Sequence, residues 1–550
     1  MRPTLNQHRD ALALHGDRLK RYLKGDFPND SWRPVRLSYG LYYQLDHTSH
    51  MQRIKLPGGI MTADQIDVLA DVTDRYGRGI AHITTRQDIQ IHWVPVAEIM
   101  DMYDRLIAVG ITTRGACADT VRNVTACPYG GVSPDSPFDI TPYLLAIHEY
   151  FLFNPLNLTL PRKFKIAVEG CPLDCAQVPV NDIGLYGKLQ DGKPGFAVWA
   201  GGGLGSQPYL AQHMTDFIPA SDVLVWCEAI VRIQHRYGER KNRSRARMKY
   251  VVKRMGLDKF RQAVRDEVAR VEAERGDELR AEVREAIELH EEPPPAAAPA
   301  TRAPELPGFA GWAGTNLRPQ KQAGYKSVLV QLPLGDVTTE QLRAVGAIAR
   351  KFGNGIVRAT DDQNIVVSWV SDNAVPAVHA ALAAVDLANP DVSTIEDVVS
   401  CPGMDYCSLA ITRSMGMAER IRAHLLRHAD GEGFAARLGV FGVKISGCPN
   451  SCGQHHVGDL GLTGHVVTED DGVQRPYYSI LVGGSVGEGR GRIGKRLGRY
   501  REEDASAAVA ALARFFEKER SNDERFPEFV DRVGMPRLAE IAKAAAGTVA

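Results

Sequence analysis

Four cysteines in the last third of the chain are spaced to hold a metal centre. CPGMDYC carries Cys401 and Cys407, a C-x5-C pair, and GCPNSC carries Cys448 and Cys452, a C-x3-C pair. Thiolates converging from two short loops suit zinc or an iron–sulfur cluster. Zinc pairs are usually tighter, so the five-residue gap favours iron–sulfur. A second chemistry-bearing stretch is LPRKFK, with Lys163 and Lys165. Read as a strand, it puts both lysines on one face, because side chains alternate with period two. Two adjacent ammonium groups repel each other unless an anion sits between them. The plain alternative is a pair of solvated surface lysines.

The elements that position these residues occur twice. LPGGIMTADQIDVLADVTDRYGRGIAHITTRQDIQIHWV, from Leu56 to Val94, aligns without a gap with LPLGDVTTEQLRAVGAIARKFGNGIVRATDDQNIVVSWV, from Leu332 to Val370, at an offset of 276. GCPLDCAQVPVNDIGLYG, from Gly170, matches GCPNSCGQHHVGDLGLTG, from Gly447, at an offset of 277. Two distant segments that keep nearly one register imply duplication of a whole unit. Each unit opens with an alternating strand (His50 to Leu56; Ser327 to Leu332). A helix follows, with Thr62 or Thr338 three residues before Gln65 or Gln341, a capping-box spacing. It ends near Gly77–Gly79 or Gly353–Gly355, where glycine can take the left-handed cap. A second strand closes a β-α-β half-domain, and two such halves could pair. The later part of each unit mixes strands and helices around the cysteines. Met255 to His290 is charged and helix-forming, and the Pro/Ala-rich stretch beginning at Glu291 reads as an extended linker.

Composition narrows the function. The 550 residues carry 66 Lys+Arg and 66 Asp+Glu, a formal net charge of zero, which disfavours a general nucleic-acid binder. No apolar run approaches the ~20 residues of a membrane span, and the N-terminus lacks the pattern of a secretory or transit segment. A cytoplasmic protein is expected, with no membrane partner. The cysteines, nine in all, are then metal ligands sooner than disulfides.

The cysteine spacing, the duplication and the motifs KLPGG, TTRQ, VRN, LPRKFK and GCPNSCG, in that order, resemble the sirohaem-dependent sulfite and nitrite reductases over nearly the whole chain. The resemblance implies an internally duplicated α+β fold: two ferredoxin-like half-domains paired, plus two mixed α/β domains that hold sirohaem and a [4Fe–4S] cluster. The expected spans are an N-terminal extension at 1–29, half-domains at 30–100 and 321–390, sirohaem and cluster domains at 101–254 and 391–550, and a charged helix and linker at 255–320. It implies that Cys401, Cys407, Cys448 and Cys452 hold the cluster and that Cys452 also bridges to the sirohaem iron. Arg53, Arg122, Lys163 and Lys165 would ring a small oxyanion and deliver protons to it. Arg86, Gln87 and Gln90 match the family's cofactor-binding stretch, and Asn450 falls in the second cysteine motif. Asp362 stands where the second unit would repeat Arg86, which points to one sirohaem, with Gln363 and Asn364 as lesser contacts.

The expected reaction is six-electron reduction of sulfite to sulfide, because Lys165 adds a cation that suits a doubly charged anion; plant-type nitrite reductases tend to have Asn there. Nitrite reduction to ammonia at the same site is the alternative. Two other readings are a corrin-ring oxygenase that keeps the cluster and a non-enzymatic four-cysteine zinc or Fe–S protein. Neither needs the full set of cations. No flavin or nicotinamide module is present, since AGGGLGS (Ala200 to Ser206) lacks a complete dinucleotide signature. Electrons would come from ferredoxin or an NADPH-dependent flavoprotein. The basic run Arg240 to Lys249 is either a solvated helix face, a sirohaem contact or a donor surface. Cys171 and Cys175 align with Cys448 and Cys452 but lack a C-x5-C partner, and read as a relic of duplication; Cys117 is a candidate fourth thiolate for a second cluster. Cys127 reads as a free thiol near the active site.

Overall fold

The computed structural model describes residues 4–46, 48–290, 303–428 and 433–546. The first half of the proposed linker, Glu291 to Arg302, lies outside the described residues.

The two β-α-β halves pair by exchanging an edge strand. The first sheet runs Leu41–Tyr43, His50–Ile54, Ile89–Val94, Ile80–Ile83, and then takes Asp336–Thr338 from the second repeat. The second sheet runs Leu317–Pro319, Tyr325–Val330, Ile365–Ser371, Ile356–Ala359, and then takes Ile60–Thr62 from the first. Each exchanged strand leads straight into a helix, Ala63–Tyr76 or Thr339–Phe352. Both helices start with the expected capping box: the Gln65 N–H donates to Thr62 Oγ1 and the Gln341 N–H to Thr338 Oγ1, both at 3.2 Å. The exchange needs close backbone approach. A Cβ on Gly59 would sit 2.4 Å from the Ala359 carbonyl oxygen, and one on Gly335 would sit 2.6 Å from that of Ile83. Only glycine fits there, and at positive φ. Ile66, Leu69, Leu342 and Val345 share one core, so neither half buries its apolar face alone. At the helix ends, Gly79 and Gly355 take the left-handed conformation, while Gly77 and Gly353 stay at negative φ.

The rest of each repeat is a five-stranded mixed sheet. The first orders Val121–Ala126, Phe164–Glu169, Ile183–Gln190, Lys193–Ala200 and Gln212–Pro219; the second orders Val399–Ser400, Val443–Ser446, Leu460–Thr468, Gln474–Val482 and Lys495–Arg501. In both, the first three strands are parallel and the last two antiparallel. Cys127, Cys171, Cys401 and Cys448 lie just past the carboxyl ends of the first two parallel strands, where open sheets place ligands.

The charged helix, Leu257–Leu289, is more than a connector. Phe260, Val264, Val271, Leu279 and Val283 lie on one stripe buried in the first mixed domain's core. Its sequence hid this because charged residues, mostly Arg and Glu, dominate the positions off that stripe. Among the described residues no helix is long and apolar enough to cross a membrane.

Candidate functional site

The two cysteine loops of the second repeat are folded onto each other. Gly403 takes φ +59°, and a Cβ there would meet Ser414 Oγ at 2.4 Å. A Cβ on Gly453 would overlap the Ile445 carbonyl oxygen at 1.8 Å. These contacts bring Cys401, Cys407, Cys448 and Cys452 toward one region. Donors point at the sulfurs: the Gly447 N–H lies 3.3 Å from Cys401 Sγ and Ser414 Oγ lies at the same distance. Backbone N–H groups of Leu409 and Ala410 serve Cys407, and those of Asn450 serve Cys448. Asn450 is exposed and also offers its side chain to Cys448. Burial pushes the Cys401 thiol up to about 12 and raises Cys407 and Cys448 as well. Thiols buried this way ionise when a metal binds them, and N–H donors to sulfur are how proteins tune iron–sulfur clusters. The four sulfurs are also more widely set than a single-ion ligand set. Among the described residues only a group in the first repeat brings three or more ligand atoms within 4.8 Å of one another. That spread fits a multi-iron cluster.

The first repeat supplies positive charge to the same place. Thr85, in TTRQ, donates to the Cys452 carbonyl at 2.7 Å, and Gln454 donates back to the Thr85 carbonyl at 3.1 Å. Arg86 is thereby set beside the exposed Cys452, with its guanidinium held by Asn181 Oδ1 at 3.0 Å and by the Asn123 carbonyl. Lys163 immediately precedes the strand Phe164–Glu169 and Lys165 lies within it, both on its less buried face. Among the described residues neither ammonium has a carboxylate or hydrogen-bond partner. Burial, then the Arg122 guanidinium, holds Lys163 down to about 7. Burial, then Arg86 and Lys163, holds Lys165 well below the usual lysine value, while the Cys452 thiolate pulls both upward. Arg122 is fixed by the Ala118 carbonyl at 2.9 and 2.7 Å. Arg53 donates to Asp88 at 3.3 Å and, with the Gln90 amide oxygen facing it, to Gln90 at 2.5 Å. Arg53 has Asp88, but Lys163 and Lys165 have no carboxylate among the described residues, an excess of positive charge that a small oxyanion would satisfy.

Not every expected contact reaches the cleft. Gln87 is fully buried and forms a pair of hydrogen bonds with the Ala126 backbone, at 2.7 and 2.9 Å. Gln363 does the same job in the second repeat, accepting from the Ser400 N–H and donating to the Ile83 carbonyl. Asn364 joins the Leu332 N–H to Asp397. These amides clip the half-domains to the mixed sheets, and their hydrogen-bonding atoms are spent there. The basic run is no helix face either. Arg243 pairs with Asp119, Arg247 grips the buried Asp182 through two nitrogens at 3.1 and 2.8 Å, and Lys249 donates to the carbonyls of Leu204 and Gln207. Three of those charges make contacts with residues distant in sequence. Asp182 also accepts the Lys165 N–H at 2.9 Å, so Arg247 positions the lysine strand through it.

One residue near the cations was missed, and two first-repeat cysteines that the sequence singled out now have a place. Lys55, in KLPGG, is buried and held down to about 7 by that burial, with Asp88 opposing and Arg122 and Arg86 reinforcing the shift. Cys117 lies against the Tyr42 phenol and the Arg53 guanidinium, away from the other first-repeat cysteines. Cys127 is not isolated: its Sγ is 3.6 Å from that of Cys171. The repeat of CP at Cys127–Pro128 and Cys401–Pro402 was the available signal.

Fold and site define a duplicated protein in which one repeat gathers four cysteines and the other a group of lysines and arginines beside them. Models of the nitrite and sulphite reductase 4Fe-4S domain match residues 117–271 and 391–548, and models of the nitrite/sulfite reductase ferredoxin-like half domain match 43–109 and 318–385. A ferredoxin–nitrite reductase from Synechococcus elongatus is 31% identical over 463 residues, covering 83% of this chain and 82% of the relative. A ferredoxin sulfite reductase from Mycolicibacterium paratuberculosis is 28% identical, covering 89% and 83%. The solved structure of Mycobacterium tuberculosis NirA protein superposes with a TM-score of 0.78 at 25% identity, covering 94% of this chain and 92% of that one. The chain belongs to the nitrite and sulfite reductase family, whose cofactors are sirohaem and a [4Fe–4S] cluster.

Proposed function

We propose that this enzyme reduces sulfite to sulfide by six electrons, and that Cys401, Cys407, Cys448 and Cys452 would hold the cluster next to the sirohaem. The cofactors, when bound, would supply the redox chemistry. The chain's own residues bind the anion and manage protons. Arg53 and Arg122 are fixed by carbonyl and carboxylate partners, so they act as rigid donors. Lys163 and Lys165 carry the reading: they are half-buried, without a partner among the described residues and lowered toward neutrality, which would let them bind an anion when charged and give up protons as S–O bonds break. A doubly charged anion compensates two neighbouring ammonium groups better than a singly charged one. Arg86 and Gln90 would meet the carboxylates of a bound sirohaem.

Nitrite reduction to ammonia at the same site is the second reading, and the Synechococcus relative favours it. The named relatives are ferredoxin-dependent, so the proposed donor is ferredoxin in place of a flavoprotein, in a cytoplasmic setting. The deciding experiment measures kcat/KM for sulfite and nitrite with reduced ferredoxin, in the native enzyme and in Lys165→Asn. The native enzyme is expected to prefer sulfite and the variant to move toward nitrite. An unchanged ratio would overturn the role given to Lys165.

A further inference from the structure

The first repeat holds a second, differently built cysteine site. Cys127, Glu169, Cys171 and Cys175 place one ligand atom each within 4.8 Å of one another. The equivalence with the cluster loops is residue by residue. The Cys127 N–H donates to the Val168 carbonyl at 3.1 Å, and the Cys401 N–H donates to the matching Ile445 carbonyl at 3.2 Å. Cys171 and Cys175 correspond to Cys448 and Cys452.

Two replacements separate the sites. Ser133 stands six residues after Cys127, where Cys407 stands after Cys401, so one cluster ligand is gone. Glu169 stands in place of Ser446. Ser446 Oγ accepts the Gly453 N–H at 3.0 Å. Glu169 accepts the corresponding Ala176 N–H at 2.8 Å, and also the N–H groups of Gly170 and Cys171 at 2.8 and 2.9 Å. Its carboxylate therefore draws the loop inward, with its oxygens among the sulfurs.

The resulting size matters. Four ligand atoms this close surround one ion and leave no room for an iron–sulfur cube. Tetrahedral zinc with Zn–S bonds of about 2.3 Å sets its sulfurs roughly 3.8 Å apart. Cys127 and Cys171 are 3.6 Å apart, near that edge and far outside the covalent S–S distance. Arg318, stacked over Tyr129 at 5.2 Å, lies beside the three sulfurs and offsets part of their charge.

We propose that Cys127, Cys171, Cys175 and Glu169 form a structural zinc site. Binding displaces the remaining thiol protons to solvent and changes no oxidation state. The site fixes the turn from Cys171 to Gln177. Within that turn, Asp174 accepts the Tyr186 hydroxyl at 3.0 Å and, across the repeats, the Gly487 N–H at 2.8 Å. Zinc would thus hold a joint between the repeats, whichever anion the enzyme reduces.

The test is metal analysis with zinc K-edge absorption on the full-length holoenzyme, where iron is silent. One zinc per chain is expected, with three sulfurs at about 2.3 Å and one oxygen at about 2.0–2.2 Å. In Cys175→Ala the zinc should be lost while the sirohaem and cluster absorption remain. Absent zinc, a shell lacking three sulfurs, or a disulfide within this trio found by peptide mass would overturn the proposal. If Cys175→Ala fails to fold, the native spectrum still decides. Zinc present without sirohaem absorption would leave this site standing and remove the reductase reading.

Discussion

The two repeats share a backbone plan and differ in what a few side chains do with it. The second keeps four widely set cysteines with N–H donors aimed at sulfur, and the first closes three cysteines around a carboxylate. The cation side shows the reverse. Arg86 of the first repeat faces the cleft, while its counterpart Asp362 is tied to Lys444 at 2.6 Å. A lysine neutralised by a carboxylate offers nothing to an anion. Lys163 and Lys165 have no such partner and can. The duplicated frames are equivalent in backbone and differ in these side chains.

The sharpest way to break this comparison is to remove equivalent cysteines. Cys448→Ser is expected to abolish turnover and lose cluster iron, whereas Cys171→Ser should keep both the iron and the visible spectrum. Iron analysis of the two purified variants checks this; equal iron loss would mean the repeats share one centre. Next come the lysines. Lys165→Ala should lower kcat/KM by about 10²–10³, the usual cost of removing a preorganised charge-stabilising donor, and Lys444→Ala should leave it nearly unchanged. Comparable losses would refute the distinction between paired and unpaired lysines. The paired amides should behave alike despite their different repeats. Gln87→Leu and Gln363→Leu are each expected to cost about 1–3 kcal/mol of stability, because buried backbone groups lose their partners. Denaturant unfolding, with cofactor absorption followed in parallel, separates that from a direct cofactor role.

The last comparison concerns acid. Burial holds His15 and His92 down to about 3 and His50 to about 4, all in the first half-domain or the helix packed on it. Their counterparts for His50 and His92 are Lys326 and Ser368. With folded values below the unfolded 6.5, the unfolded chain takes up protons first as pH falls. Stability is therefore full above about 6.5 and drops on acidification toward 3–4, by up to about 1.4 kcal/mol per pH unit for each histidine. Hydrogen exchange at pH 5 should loosen the first half-domain before the second. Uniform loosening would show that the shared core makes the two halves one cooperative unit.

Much of this was legible in sequence because it is local or periodic. Capping boxes at Thr62 and Thr338 depend on residues three apart, and both formed. The duplication, read from register alone, appears as two matching pairs of sheets. The cysteine spacing narrowed the metal chemistry to zinc or iron–sulfur, and the family resemblance supplied the rest. What failed to read out was long-range. Gln363 and Asn364 read as lesser cofactor contacts, yet their partners are Ser400, Ile83, Leu332 and Asp397, none of them local. The run around Arg247 looks solvated, yet its partner Asp182 is 65 residues away.

The sequence by itself determined the repeat, from its constant register, and the capped helices and the four-cysteine pattern, from residue type at short fixed spacing. Only the tertiary structure decided that the halves exchange edge strands, that Thr85 of one repeat rests on the Cys452 loop of the other, and that three first-repeat cysteines close around Glu169. Those outcomes depend on which distant groups burial forces together, and a hydrogen bond or ligand set across hundreds of residues leaves no trace in local spacing.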